Sequence, residues 1–542
     1  MPKSSAIVVA ESFEALVQNP EALYKSLSPW LATRRWSGLG GHEVTGIEVL
    51  DWVTISSRPS STVFAAMIQM FPPGAEAAPE VLYVPLQVCF GPASNGWASA
   101  RSLDREFLIR EGEYSTEYND FLLKGLACSQ VLQTSRGRLS LRPFRVLSPE
   151  AEVVKVEMLG GGDTTNVVVK SQAEMGSIVV KTYKKISESN PEPEMLSALS
   201  NGGFRNIPKI VGDMSYIGAD RGLALTIMQE LLESQGGGDE PFAKNLRDEI
   251  QYLPGRKDQG PSERLARRVG AIIASMHHVL GKSTMEGFGA SAITSDVIRA
   301  WENRVDRLFR GFLGEASADS EKLGAFVSSL VAALSSGEGS ICECLSLMTG
   351  MVGMKRIRTH QDLHLSQLLA VRGDDGEDDF FVVDFEGDPQ RGGGGRREKE
   401  CPLRDLGTMA RSFSYLRYNV LGGLFLDRGY INGLELIASA ELRKKGTSLA
   451  KTPPLPQTMD EFVKVSRQWE KTVRGAMIEG YLVEAERLGD HFLSVEGQID
   501  SVTVDSVTRF WEMEKALLEA RYELHHRPQY LIIPLAGFLA LC

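Results

Sequence analysis

Residues 360–387 read HQDLHLSQLLAVRGDDGEDDFFVVDFEG, and the rest of the chain reads as a scaffold for them. His360-x-Asp362 opens the stretch, and Gln367 stands five residues after the aspartate. An apolar run over 368–371, a polar turn over 372–379 with Gly373 and Gly376, and a second apolar run over 380–383 predict a β-hairpin. Closing that hairpin brings Asp362, Gln367, Asp384 and Glu386 together. The acidic residues of the turn, Asp374, Asp375, Glu377, Asp378 and Asp379, read as solvated charges. Asp384 and Glu386 do not, because they directly follow Phe-Phe-Val-Val at the end of a buried strand.

Transfer of a phosphoryl group from ATP needs such a set. One carboxylate takes the proton of the attacking hydroxyl, while an amide oxygen and a second carboxylate hold Mg²⁺ against the phosphates. The protein-kinase pattern is H-R-D-x-x-x-x-N followed by D-F-G. Here it is H-Q-D-x-x-x-x-Q followed by D-F-E. The spacing from aspartate to amide is kept, and the two replacements are of the kind found in small-molecule kinases. Asp362 is then the catalytic base, in a loop braced by His360 and His364. Gln367 and Asp384 are the metal ligands, with Glu386 as a further one.

The 542-residue chain is 43% hydrophobic with a net charge of −11, enough for more than one core. The acidic balance argues against a nucleic-acid partner, which needs a basic face. It leaves ATP open, since Mg²⁺ and a few local cations suffice. The six cysteines show no metal-ligand spacing and read as free thiols of a reducing cytoplasm. No signal peptide is evident, and the apolar tail over 530–542 is too short to span a membrane.

In chain order, a helix is predicted over 12–31, then antiparallel strands over 44–55, 61–71 and 81–88. A polar helix is predicted over 104–133, with strands over 139–146 and 153–158. Gly160-Gly161-Gly162-Asp163-Thr164-Thr165-Asn166 lies between two strands, where backbone N–H groups can approach phosphates. Gly161, Gly162, Thr164 and Asn166 are the nucleotide candidates there. The strand over 178–183 carries Lys181 for the α- and β-phosphates, and Glu194, on a helix starting near Pro191, is the expected partner that orients it. A strand over 223–228 leads to Gln229 and Leu231, whose backbone would meet adenine. A Gly-rich loop over 233–240 marks a change of lobe. Helical periodicity follows from Ser262, and again over 298–312, 321–334, 402–419, 459–488 and 504–525.

At this point the chain resembles the maltokinases, relatives of the aminoglycoside phosphotransferases with an added N-terminal cap. The resemblance rests on Arg34-Arg35-Trp36, Asn166, Lys181, Asn190-Pro191, Gln229-Glu230, the 360–387 stretch, Pro402-Leu403-Arg404-Asp405 and Arg411-Ser412-Phe413. In the last part it rests on Glu512, Lys515, Tyr522-Glu523, Arg527-Pro528 and Ile533-Pro534-Leu535. It implies an α+β, bilobal protein-kinase-like fold: a cap over 1–100, a β-rich N-lobe over 101–232 and a mostly helical C-lobe over 233–542. It also implies ATP and Mg²⁺ as cofactors and transfer of the γ-phosphate to the anomeric hydroxyl of maltose, with glucosamine kinases as the alternative of the same architecture. The cap is a candidate for docking another enzyme of α-glucan or trehalose metabolism. Arg411, Tyr415, Trp511, Tyr522 and Glu523, on the late helices, are the sugar-binding candidates. The chain departs from the family at Gln361 and Ser366, where glycine is usual, and at Ser37-Gly38-Leu39. These departures bear on the acceptor rather than on the chemistry.

Overall fold

The computed structural model describes residues 11–541, except 12, 40, 75–77, 90–97, 103–104, 160–164, 175, 187–189, 219–221, 252–259, 337–347, 374–375, 377, 444–454 and 495–500. The chain divides into two compact units, Met1–Pro193 with Pro208–Leu232, and Glu194–Ile207 with Glu233–Cys542.

The first unit holds two antiparallel sheets. The helix expected over 12–31 is broken: helical residues over 13–17 stop, and α1 (Pro20–Ala32) restarts behind Asn19. The Asn19 side chain accepts from the Ala22 N–H at 3.2 Å, and Pro20 sits at the first helical position, where its missing N–H costs nothing. The first sheet has the order β1-β2-β3-β5-β4, with β1 Gly46–Ser57, β2 Ser61–Phe71, β3 Glu80–Cys89, β4 Ala98–Ser102 and β5 Arg105–Glu111. Residues 105–111 therefore belong to a strand and not to the polar helix expected over 104–133. Pairing on both edges explains this: Leu108–Glu111 pair with β3 and Arg105–Ile109 with β4, and Phe107, Leu108 and Ile109 are all buried. A shorter helix, α2 (Thr116–Ala127), starts behind Ser115, whose hydroxyl accepts from the Tyr118 N–H at 3.1 Å.

The second sheet has seven strands: β6 Val131–Gln133, β7 Arg138–Pro143, β8 Val153–Met158, β9 Val167–Ala173, β10 Gly176–Thr182, β11 Ile210–Ile217 and β12 Gly222–Glu230. Their order is β6-β7-β11-β12-β10-β9-β8. Both sheets contribute to one buried apolar cluster that runs from Phe13 to Met228. Asp51 of β1 joins them: its carboxylate accepts from Thr134 (2.5 Å), Ser135 (2.6 Å) and the Tyr216 hydroxyl (2.9 Å). Lys184 is fully buried, paired with the equally buried Glu113, and its ammonium lies 4.5 Å from the centre of the Trp36 ring.

The second unit is mostly helical. Its elements include α4 Asp239–Gln251, α5 Gly260–Lys282, α6 Ser295–Ala318, α8 Leu403–Leu426, α9 Gly433–Arg443, α10 Gln457–Arg487, α11 Ser501–His526 and α12 Ile532–Leu541; α3 is Glu192–Asn201, across the unit boundary, and α7 is Ala325–Ser336. α5 and α10 cross at Gly270 and Gly480. A β-carbon on Gly270 would stand 2.0 Å from the Met477 carbonyl oxygen, and one on Gly480 would stand 2.2 Å from that of Arg267. α8 is buried along most of its length, which makes it the central helix of the unit. The apolar tail forms α12, packed with Ile532–Leu539 buried, and no helix among the described residues is long and apolar enough to cross a membrane.

Candidate functional site

The hairpin expected in the opening stretch is present. Strands Leu368–Arg372 (β14) and Asp378–Val382 (β15) pair antiparallel with Leu368 opposite Val382. The Gly-rich segment expected as a loop adds a third strand, Ser234–Gly237 (β13), on the outer edge of β14. Beyond the last rung the Val383 N–H donates to the Gln367 carbonyl at 3.0 Å, which keeps the two strand ends together. The Gln367 side-chain amide then donates to an Asp384 carboxylate oxygen at 2.9 Å. Asp384 has φ +66°, in the left-handed region that costs a β-carbon-bearing residue energy. With Glu386, this end of the hairpin offers only oxygen donors, the set that suits a hard cation such as Mg²⁺.

The loop before the hairpin is held by buried charge. Asp405, in the first turn of α8, accepts the backbone N–H of His360 at 2.8 Å and of Gln361 at 2.9 Å. His277 of α5 donates or accepts at both ends, 3.1 Å from Asp405 and 3.1 Å from the Tyr481 hydroxyl, which is a bracing role. Burial raises the Asp405 carboxyl, but the His277 bond, the nearby imidazoles and the backbone N–H of His360 hold it below its ordinary range. Arg404 donates to the Gln361 carbonyl at 2.8 Å, to Asp388 at 3.0 Å and to Glu514 at 2.6 Å. The His360 ring lies 3.0 Å from the Val383 carbonyl and packs on Phe385, so His360 ties the loop to the hairpin end.

Asp362 follows directly. Its carboxylate accepts from the Lys515 ammonium of α11 at 2.7 Å, and His364 lies 3.9 Å away. Burial pushes Asp362 up, while Lys515, His364 and His360 pull it down further, so the net shift is downward and the group is ionised at neutral pH. Lys515 is correspondingly raised: burial opposes its charge, and Asp362 and Glu519 outweigh that. His364 drops to about 4, mainly through burial, and is neutral at pH 7.

In the first unit, Lys181 of β10 pairs with Glu192 at 2.7 Å, and the Tyr183 hydroxyl bonds the same carboxylate oxygen at 2.7 Å. The expected partner was Glu194. That residue instead forms ion pairs with Arg358 (2.8 Å) and Arg397 (3.3 Å) in the second unit. The reason is angular, because two positions at a helix start point about 200° apart around the axis. Asn166 accepts from the Lys184 N–H at 3.4 Å. Gln229 lies opposite Val179 in the sheet, and the Leu231 N–H meets the Ser177 carbonyl at 3.4 Å. Gly161, Gly162 and Thr164 lie outside the described residues.

Of the sugar candidates, Arg411, Tyr415 and Glu523 lie together, the Arg411 guanidinium 5.9 Å from the Tyr415 ring centre, and Trp511 stands apart. Trp511 is fully buried, edge-on to Trp301 at 5.4 Å, and serves the core instead of offering a face to a ligand. Arg411 is almost fully buried and donates to Glu519 (2.8 Å), Ser414 (2.9 Å) and the Ile533 carbonyl (3.1 Å). It also lines a cleft of about 770 Å³ with Arg417, Glu441, Arg474 and Glu512, a cleft that Asp362 does not line. Tyr415 and Glu523 do meet, at 2.8 Å, and Arg527 pairs with the same carboxylate at 2.6 Å. Tyr522 is 39% exposed and stacks on His526. Sequence reasoning gave no role to Glu192, Asp405 or Lys515. Lys515 lies 153 residues from the aspartate it touches, and the sequence marks it only as part of the maltokinase resemblance, without a partner.

No family model matches the chain. Among solved structures, a glucosamine kinase in complex with glucosamine, ADP and inorganic phosphate matches with a TM-score of 0.60 at 17% identity, over 95% of this chain and 97% of that one. A second crystal form of glucosamine kinase matches with a TM-score of 0.60 at 16% identity, over 94% and 97%. The chain therefore has the mixed α/β fold of these kinases over nearly its whole described length.

Proposed function

We propose that the protein is an ATP-dependent kinase that phosphorylates a sugar hydroxyl, with Asp362 as the base. The observation that carries this is the ionised Asp362, held by Lys515, on a loop tied through His360 to the Gln367–Asp384 pair. Gln367 and Asp384, with Glu386, would hold Mg²⁺, which when bound neutralises charge on the transferred phosphate. Lys181, oriented by Glu192, would meet the nucleotide phosphates, and the Gln229–Leu231 backbone the adenine. Asp362 accepts the proton of the acceptor hydroxyl as its oxygen attacks. His364, neutral at pH 7, and Asp405 keep the loop in place and transfer no proton.

The acceptor we favour is the anomeric hydroxyl of maltose, giving maltose 1-phosphate. An anomeric hydroxyl is more acidic than the other sugar hydroxyls, which makes a carboxylate base adequate for it. The Arg411-Ser412-Phe413 and Arg527-Pro528…Ile533-Pro534-Leu535 segments support the same acceptor through the maltokinase resemblance. Glucosamine is the second reading, favoured by the fold shared with glucosamine kinase. ADP release measured with maltose, glucosamine, glucose and trehalose separates them, followed by phosphorus and proton NMR of the product. A 1-phosphate of maltose is expected. Turnover of glucosamine alone would move the acceptor and leave the kinase reading, and no turnover with any sugar would remove it.

A further inference from the structure

We propose that Gln361 is a positioning residue for Asp362, tying the loop that carries the carboxylate to the segment over 391–399. The role given to Asp362 rests on the kinase reading above; the tie itself does not. Gln361 is buried, and its side-chain amide lies 3.4 Å from the Gly395 carbonyl oxygen, 3.2 Å from that of Arg396 and 3.1 Å from that of Glu398. Carbonyl oxygens only accept, so the three together fix which end of the amide is the NH₂ group. The other end, Oε1, is buried with no hydrogen-bond partner. The backbone of the same residue is clamped on both sides, its N–H by Asp405 and its carbonyl by Arg404.

Two costs converge on this residue. Its φ is +68°, where a side chain is strained and glycine is not, and its amide oxygen is desolvated without compensation. Packing alone does not call for either. A donor aimed at three carbonyls does, since the left-handed turn is what sends the Gln361 side chain toward the 393–397 turn while the next residue presents its carboxylate to Lys515. Apart from the Arg397–Glu194 ion pair, the segment's other bracing lies on its own side. Arg391 pairs with Glu398 and Glu400, and Arg396 donates to the Asp388, Pro389 and Arg391 carbonyls. Gln361 thus ties this self-braced segment to the Asp362 loop through its side chain.

Two variants separate the tie from the fold. Gln361→Glu keeps the shape but replaces the donor with oxygen, and Gln361→Gly removes the donor while relieving the backbone. Limited trypsin digestion of the full chain, mapped by mass spectrometry, reads cleavage after Arg396 and the exposed Arg397. Hydrogen exchange reads the His360 and Gln361 amides. Both variants are expected to be cut within 391–399 about tenfold faster than the parent, as the local opening becomes more populated. With whichever sugar the parent turns over, kcat is expected to fall by about tenfold or more through misplacement of the carboxylate, with the KM for ATP unchanged. Cleavage at the parent rate in either variant overturns the proposal, and so does faster cleavage with unchanged kcat. Should the parent phosphorylate no sugar, the kinase reading falls, and the cleavage and exchange rates decide the tie alone: faster in both variants upholds it, unchanged in either discards it.

Discussion

Lys515→Met removes the ammonium that stands 2.7 Å from Asp362. Both side chains are less than one-fifth exposed, so solvent screens the pair only in part. At an effective dielectric of about 20, charges at that separation attract by roughly 6 kcal/mol. Burial of both groups offsets much of this, and what remains visible for a neighbouring opposite charge is a pKa shift of about 1–3 units, or about 1.4–4 kcal/mol. The sign follows from the causes. Burial pushes Asp362 up and Lys515 is the largest influence pulling it down, so the variant's carboxyl rises. The active form is ionised, and the acid limb of kcat/KM therefore moves to higher pH by about 1–3 units, with the loss shrinking toward about pH 8–9. Stability shows the mirror image. In the parent the depressed carboxyl contributes stability that is present above its unfolded pKa and lost as pH falls through its folded value. In the variant a raised carboxyl reverses this, so stability is lost as pH rises through the new folded value. A coupled ADP-release assay over about pH 5–9, with urea denaturation at both ends, measures both effects. An acid limb that stays in place would refute the reasoning, as would an activity loss equal at every pH.

Other predictions follow from single contacts. Asp362→Asn is expected to keep the fold and nucleotide affinity while kcat falls by about 10²–10⁴-fold, measured by steady-state kinetics and nucleotide titration. Glu192→Gln should weaken ATP use strongly and Glu194→Gln little, because Glu192 pairs with Lys181 while Glu194 pairs with Arg358; equal KM values for ATP in the two variants would argue against that assignment. Asp384→Asn should raise the Mg²⁺ concentration needed for half-maximal turnover without lowering the melting temperature appreciably. Trp511→Ala should destabilise by about 3–5 kcal/mol as a core truncation, whereas Tyr522→Ala should leave stability within about 0.5 kcal/mol; denaturant titration of both checks this.

The parts of the fold that were readable in the sequence are those set by local pattern. Strands Ser61–Phe71 and Val153–Met158 fall where alternation and apolar runs place them, as does the 368–382 hairpin. The misreadings have local causes too. Residues 105–111 are polar enough to pass for a helix, and pairing with β3 and β4 selects the strand. Within the site, the hairpin brought Gln367 and Asp384 together as read, because strand pairing leaves their positions little freedom. The sequence reading points to Glu194 and not to Glu192, because helix phase cannot be fixed from a first turn alone. Lys515 and Asp405 escaped because their meaning lies in contacts far apart in sequence, and Trp511 misled because an aromatic suits a sugar platform and a core equally well.

The first sheet also bears on the strand that carries Lys181. The Tyr83 N–H donates to the Lys184 carbonyl at 2.9 Å and the Ile186 N–H to the Val81 carbonyl at 2.9 Å, so the chain just past β10 runs along β3. Lys184 itself ends between Glu113 and the Trp36 ring. The early part of the chain consequently works as a handle welded to the Lys181 strand. Cutting it away would strip one side from the Lys184 ammonium, and a load applied to the first sheet would be felt three residues from Lys181.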